Sequence, residues 1–338
     1  MTYIIVDLAN TFFRSRHAIK GDADTKIGMA LHITLNSIRK VWQDFNGSHV
    51  IFCLEGKSWR KGVYAPYKKN RADARAALTV KEQEEETLFW ETFDIFKQFV
   101  IEKTNCSVLH NPQLEADDLI AGVIQAHPDK NHIIVSTDSD FVQLIAPNVK
   151  QYNGVTDQLV THDGVYDAKG RKLAFTIGSN SKLKIGKTDP TFIPPPNWTE
   201  FALFLKCIRG DSGDHVFSAY PGVRIQSSKN KIGLQEAFDD RAAKGWAWNN
   251  LMLQRWADHL GQEHRVLDDY ERNRMLIDLT CQPDDIKDII KDTIATQLVE
   301  KNVNQVGIRL LKFCQLYNLQ KVADQAQSYA EPLNARYF

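Results

Sequence analysis

The chain has no cysteines at Cys-x-x-Cys spacing. Its five cysteines, at 53, 106, 207, 281 and 314, are scattered and odd in number. That excludes a disulfide framework and a thiolate zinc site, and reads as reduced cytoplasmic thiols. An apolar run of about 20 residues, the length that spans a bilayer, is also missing. The start, MTYIIVDLAN, carries no basic leader and meets Asp7 before a long apolar segment can form. It therefore reads as a core strand and not as a signal peptide. Internal repeats and low-complexity segments are absent as well. There is no net charge, with 42 Lys and Arg against 42 Asp and Glu.

What the chain does have is charge in separate places. Residues 57–75 (KSWRKGVYAPYKKNRADAR) hold seven Lys or Arg and one Asp, and residues 169–187 hold six Lys or Arg and no acid. Any one basic run is usually a solvated face. Basic runs combined with clustered acids are what a phosphodiester-handling protein needs. With 338 residues, 43% hydrophobic and 25% charged, the chain is an ordinary soluble composition with room for two domains or one large one.

The first half alternates strand and helix. YIIVD (3–7), HVIFCL (49–54), CSVLH (106–110), NHIIVS (131–136) and NVKQY (148–152) read as strands. Between them lie an amphipathic helix over 27–42, a helix from Val80 to Ile101 with Leu88, Phe89, Phe93, Phe96 and Phe99 as its buried stripe, and a helix opened by EADD. Val/Ile-rich strands separated by helices predict an α/β fold with a central, mostly parallel sheet covered on both faces. Residues 153–196 read as loops and short hairpin strands. From Trp198 onward the chain reads as mostly helical, including WNNLMLQRWADHL and a C-terminal helical pair. These patterns set a boundary near residue 195, giving domains 1–195 and 196–338.

LEADDLIAG places Glu115, Asp117 and Asp118 at the edge of an apolar helix. The bland reading is that acids near a helix N-terminus favour the macrodipole. Asp7 closes the first strand, Asp138 and Asp140 follow the fourth, and Asp211 and Asp214 lie in IRGDSGDHV. Each has its own bland reading, an Asx-turn for 138–140 and a helix cap for 211–214. Chain turns would bring Asp7, the 115–118 cluster and the 138–140 pair together at the carboxyl ends of strands, where open parallel sheets bind ligands, with Asp211 and Asp214 in a later Gly-rich turn. Carboxylates brought together there raise one another's pKa unless cations neutralise them. Oxygen donors select Mg²⁺ or Mn²⁺, and two such ions form a clamp suited to phosphodiesters.

VDLANTFFR, APYKKNR, EADDLIAG, STDSDFVQL and IRGDSGDHV, in that order, resemble the 5′ nuclease family. This family includes flap endonucleases, the 5′-nuclease domain of bacterial DNA polymerase I and stand-alone phage ribonuclease H/5′-exonucleases. The phage enzymes look most similar, since PNVKQY follows the STDSD block. The motifs span residues 3 to about 223, and the tail matches more weakly. The resemblance implies a PIN-like nuclease core and a helical C-terminal half with a helix–hairpin–helix-like DNA-binding element. It implies a first metal site from Asp7, Glu115, Asp117 and Asp118, and a second from Asp138, Asp140, Asp211 and Asp214. Arg14 falls at a phosphate-contacting position. Tyr67, Lys68 and Arg71 match an arch over the site, with Lys68 and Arg71 at the scissile phosphate and Tyr67 offering a stacking face. Lys69, Arg75, Arg224, Lys229 and Lys231 add nucleic-acid contacts. The arch, about residues 57–81, has too little apolar content to pack as core, so it should order on binding.

Two departures stand out. The family has Phe-Asp after the second strand, where this chain has Phe52-Cys53; Glu55 is the nearby acid and is read as the substitute ligand, against a plain turn acid beside Gly56. After Asp214 the compact Gly-rich turn is replaced by PGVRIQSSKNKIG, a basic insertion that leaves K⁺ binding open. The implied activity is a divalent-metal-dependent 5′→3′ exonuclease and flap endonuclease. It acts on DNA or RNA–DNA duplexes with 5′ ends or flaps, removes RNA primers during replication and leaves 5′-phosphates. The implied protein is a monomer in the cytoplasm, that of the host if phage-encoded, with no membrane contact and a single-stranded-DNA-binding protein as a replication partner. A dehalogenase-type phosphatase needs a second Asp where Ala9 stands. A PIN-type RNA endonuclease lacks the arch and the GDSGDH turn. A non-catalytic nucleic-acid-binding module would have lost its acids.

Overall fold

The computed structural model describes residues 1–15, 20–71, 77–178, 181–222 and 233–337. The chain forms two compact units that interleave in sequence. One comprises residues 1–58, 78–171 and 285–338, the other residues 59–77 and 172–284. The basic segment after Ser58 thus groups with the middle of the chain, and the C-terminal helices group with the first half.

In the first unit, β1 (Thr2–Asp7), β2 (His49–Cys53), β3 (Ser107–Leu109), β4 (Asn131–Val135) and β5 (Val149–Asn153) form a parallel sheet in the order β3-β2-β1-β4-β5. Two antiparallel strands, β6 (Gln158–Thr161) and β7 (Gly164–Tyr166), extend it. β1 is buried along its whole length, as a parallel strand covered on both faces must be. The chain winds outward from β1 through β2 and β3, then returns to the other side of β1 as β4. The strand order reverses between β1 and β4, where α/β sheets open a ligand crevice.

Helices Ala23–Asp44, Val80–Lys103, Val306–Leu316 and Ala326–Asn334 share one apolar core with β1, β2 and β4. The long helix buries Phe89, Thr92, Phe93, Phe96, Phe99 and Val100. Leu88, expected in that stripe, is 36% exposed, because the period of 3.6 that places 89, 93 and 96 inside turns 88 outward. Elsewhere in this unit, helix Ala116–Ala126 packs against helix Asp284–Gln297. A Cβ on Gly122 would lie 2.3 Å from Ile290 Cγ2 and 2.9 Å from Ile294 Cδ1, so only glycine fits this crossing.

The second unit is built on Trp198–Arg209, Leu234–Asp239, Trp246–Met252 and Val266–Ile277, whose apolar faces share a core around Phe201, Leu205, Phe238 and Met252. It also holds two hairpins, β8 (Lys172–Ile177) with β9 (Leu183–Thr188), and β10 (Arg255–Ala257) with β11 (Glu263–Arg265). RWAD, read as helix from its apolar spacing, is instead a strand. Trp256 stacks across the hairpin on His264 with centroids 4.6 Å apart and donates to the carbonyl of Ala219. That cross-strand pair overrides helical propensity.

Substituting Gly122 by Val should overpack the crossing and lower stability by about 1–3 kcal/mol, read as a fall of several degrees in thermal midpoint. Gly62→Ala, where no atom lies within 4 Å of the new Cβ, should leave the midpoint nearly unchanged.

Candidate metal centre

The first unit's acids sit where its strands end. Asp7 closes β1 and pairs in register with Cys53, the last residue of β2. Asp138 follows β4 on the other side of β1, and its Oδ1 accepts the Asp140 N–H at 3.0 Å. The expected Asx-turn is therefore present, and it orients a carboxylate at the crevice. Gln151 on β5 fixes the same turn by donating to the carbonyls of Ser136 and Asp138.

Asp7 is only 5% exposed. Burial, then the charges of Glu55 and Asp138, push its carboxyl up to about 7, against hydrogen bonds from Ser136 and Asn10. Ser136 Oγ donates to Oδ2 at 2.9 Å and the Asn10 N–H to Oδ1 at 3.2 Å. Asn10 in turn accepts from the N–H and hydroxyl of Thr137. Sequence reading missed Asn10 and Ser136. Both stand inside the quoted motifs, but a neutral side chain that orients a carboxylate carries no charge signal of its own.

Glu115 and Asp118 are buried at 2% and 0% exposure. They form a capping box at the start of helix Ala116–Ala126, Glu115 accepting from the Asp118 N–H and Asp118 accepting from the Glu115 N–H. Ser58 Oγ donates to Glu115 at 2.8 Å. The macrodipole reading is thus realised for this pair, while Asp117 is half-buried in the same first turn. Glu55 accepts the Ala116 N–H at 2.9 Å, so it both caps this helix and lies close enough to raise the pKa of Asp7. Its neighbour Gly56 lets the turn press against the 111–114 loop, where an added Cβ would sit 2.1 Å from the Asn111 carbonyl oxygen. Cys53 is fully buried, and burial with the charges of Asp7 and Asp117 pushes its thiol well up. A protonated thiol is no ligand for a hard cation.

Asp138 and Asp140 belong to the first unit and Asp211 and Asp214 to the second, so the four-acid second set is split between units. In the second unit the acids are held by cations. Lys206 Nζ lies 2.7 Å from Asp211, and the Gly213 N–H donates to it at 2.8 Å. Burial raises the Asp211 carboxyl, but Lys206 and these N–H bonds outweigh it and hold the group low. Asp214 receives Tyr67 Oη at 3.1 Å, Arg71 at 2.5 Å and Lys68 Nζ at 3.8 Å. This is a turn held by ion pairs and not the expected helix cap.

Tyr67, expected to offer a stacking face, is 4% exposed and packs with Cys207, Val216 and Leu276. Its hydroxyl is anchored on Asp214, which draws the ring inward. Arg60 is also buried, donating to the Leu276 carbonyl. The described part of the basic segment therefore has core anchors that its composition did not suggest. Phe217, three residues after Asp214, is 55% exposed and edge-on to His215 with ring centroids 5.1 Å apart. Lys69 is exposed, as is Arg14 in the last turn of helix Leu8–Ser15. Arg75, Arg224, Lys229, Lys231 and residues 223–232 of the insertion after Asp214 lie outside the described residues.

Among the described residues, no three Asp, Glu, His or Cys side chains are grouped closely enough to hold a metal ion. The donor chemistry nonetheless fits one. Asp7, Glu55, Glu115, Asp117, Asp118, Asp138 and Asp140 are all hard oxygen donors, and Asp7 is buried next to like charge.

A family model for the N-terminal resolvase-like domain of 5′-3′ exonucleases matches residues 2–170, half of the chain. The chain belongs to this 5′ nuclease family. A flap endonuclease Xni of Shewanella loihica is 30% identical over 165 residues, covering 47% of this chain and 58% of that protein. A second, from Aeromonas hydrophila, is 32% identical over 157 residues, 44% of this chain and 53% of the relative. The chain spans about half the length of these relatives. In fold, a flap endonuclease of bacteriophage T5, solved as a pseudo-enzyme-product complex with DNA and metal ions, aligns over 98% of this chain and 100% of its own, with a TM-score of 0.55 and 18% identity. The zinc-bound T5 5′-exonuclease aligns over the same shares with a TM-score of 0.54. At that identity the likeness is one of fold.

Asp7→Asn removes a buried charge, so in EDTA it should raise the thermal midpoint at pH 8. Because the folded carboxyl titrates at about 7 and an unfolded one near 3.9, the folded state alone keeps its proton between these values. The gap between variant and wild type should widen as pH rises from about 4 to 7 and level off above. A variant less stable than wild type at pH 8 contradicts the like-charge account.

Proposed function

We propose that the chain is a divalent-metal-dependent 5′→3′ exonuclease and flap endonuclease. One observation carries the reading: in a chain of the 5′-3′ exonuclease family, buried Asp7 and half-buried Asp138 flank the strand-order reversal of a parallel sheet. Asp7, Glu115, Asp117, Asp118, Asp138 and Asp140 would hold Mg²⁺ or Mn²⁺, and the family resemblance assigns Asp211 and Asp214 to metal as well. Glu55 supplies the charge that Cys53 does not. Bound divalent ions would activate water and stabilise the departing oxygen. Water attacks phosphorus, the P–O3′ bond breaks, and the shortened strand keeps a 5′-phosphate.

Lys68 and Arg71 are the charge-stabilising groups for the scissile phosphate. Their ion pairs with Asp214 support this role: an ion on Asp214 would compete with them and turn both cations toward phosphate. Phe217 takes over the stacking role that Tyr67 was expected to play. The substrates are DNA or RNA–DNA duplexes with 5′ ends or flaps, as in primer removal during replication, and the chain works as a monomer with a single-stranded-DNA-binding protein as partner. Among the described residues, no helix is long and apolar enough to cross a membrane. A second reading, a nucleic-acid-binding module with weakened cleavage, is favoured by Cys53 alone.

The test is a labelled 5′-flap duplex and an RNA-primed duplex, each with Mg²⁺ or EDTA. Wild type should cut both in Mg²⁺ and neither in EDTA. Asp138→Asn should lose cleavage but keep or tighten binding, because less negative charge repels the phosphates less; cleavage near the wild-type rate would remove Asp138 from the site. Lys68→Ala should lower the single-turnover rate at saturation more than affinity. Glu55→Gln should raise the Mg²⁺ concentration needed for half-maximal rate, whereas an unchanged titration would leave Glu55 a helix cap only.

A further inference from the structure

The basic run at 169–187 is not used by the metal centre. Its residues from Lys172 on supply the strands β8 and β9 of the second unit, and no acid stands between Asp167 and Asp189. Its two faces differ in chemistry. Leu173 and Phe175 are buried at 6% and 4% exposure, and Phe175 packs on Phe192 and Trp198 with ring centroids 5.0 and 4.8 Å away. Ile177 packs on the helical core of the unit. The hairpin is thereby fixed by its inner face to the helices that carry Asp211.

On the other face, Thr176 pairs across the strands with Lys184, and both are exposed. Gly186 lies against Ala174, where an added Cβ would be 3.2 Å from the Ala174 carbonyl oxygen. A register irregularity between Leu173 and Phe175 accompanies the step to Lys187, which is exposed as well. Arg171 is paired with Asp167, whereas among the described residues neither Lys184 nor Lys187 joins an ion pair. Lys182 is also exposed at the turn.

We infer that the outer face of the β8–β9 hairpin docks the phosphate backbone of duplex nucleic acid. The inference rests on the nuclease reading for its ligand class. The charge is uniformly positive on a short, anchored hairpin. Thr176, Ala174 and Gly186 leave the plate flat, so the lysine ammonium groups stand above it. The face has no aromatic ring for stacking unpaired bases, which favours a backbone contact over a single-strand platform. The bland alternative is that the β9 lysines only guard a strand edge of the hairpin against pairing.

The test is a full-length Lys184→Ala/Lys187→Ala protein, with duplex binding measured by fluorescence anisotropy in EDTA from 50 to 200 mM KCl. Losing two phosphate contacts should reduce the magnitude of the log–log salt slope by about 1.8. The affinity deficit should therefore be roughly twelve-fold larger at 50 than at 200 mM. A single strand of equal length should show a smaller deficit, and Lys184→Arg/Lys187→Arg should bind the duplex as wild type does. The single-turnover cleavage rate at saturation should be unchanged. An Ala variant with the wild-type slope overturns the inference and leaves the nuclease reading intact, and if that variant also self-associates, the lysines are edge guards. An Arg variant that loses binding like the Ala variant overturns it too. A wild-type chain that binds neither duplex nor single strand contradicts the nuclease reading itself.

Discussion

Asp7 is a buried carboxylate with Glu55 and Asp138 as its charged neighbours. Left to itself, that arrangement opposes folding, because each negative charge raises the cost of the others and burial adds to the cost of Asp7. The surrounding structure is organised around this penalty. Ser136 and Asn10 donate to Asp7, the Asp140 N–H donates to Asp138, and the N-terminus of helix Ala116–Ala126 takes Glu55, Glu115 and Asp118 on its first N–H groups. The helix dipole and these donors hold the acids at the crevice without discharging them. On the proposed function a divalent cation would complete the balance, and the repulsion that weakens the apo fold would become affinity for the ion.

The second unit solves the same problem differently. Asp211 and Asp214 are neutralised by Lys206, Lys68 and Arg71. These ion pairs keep Lys68 and Arg71 beside an acid that the proposed nuclease reading assigns to metal. On the proposed function, an ion on Asp214 would compete with these pairs and free Lys68 and Arg71 for phosphate. The β8–β9 hairpin adds exposed positive charge at Lys184 and Lys187.

Much of this was legible in the sequence where one local signal sufficed. The strands ending in Asp7, Cys53 and Val135 are unbroken Val/Ile/Phe runs, and burial on both faces of a parallel sheet demands that composition. The acids were legible because several turns repeat the same chemistry. Long-range pairings were not. Nothing local in YKKNR says that Tyr67 turns inward to Asp214, because that fit depends on residues more than a hundred positions away. RWAD read as helix because Trp256 finds His264 only once the hairpin closes. Leu88 was one residue off the buried stripe, an error that a period of 3.6 allows over a short window. The interleaving of the units was hidden for the same reason, since the C-terminal helices dock through Phe313 and Tyr329 on the first unit's core.

The central claim is that the carboxylates at the ends of β1 and β4 are a cation site before any substrate arrives. Electron paramagnetic resonance of Mn²⁺ titrated into the full chain without nucleic acid measures this directly. The account predicts saturable binding in the wild-type protein and at least about ten-fold weaker binding in Asp7→Ala, since loss of even a supporting contact costs that much at metal sites. Equal Mn²⁺ affinity in the two proteins would contradict it.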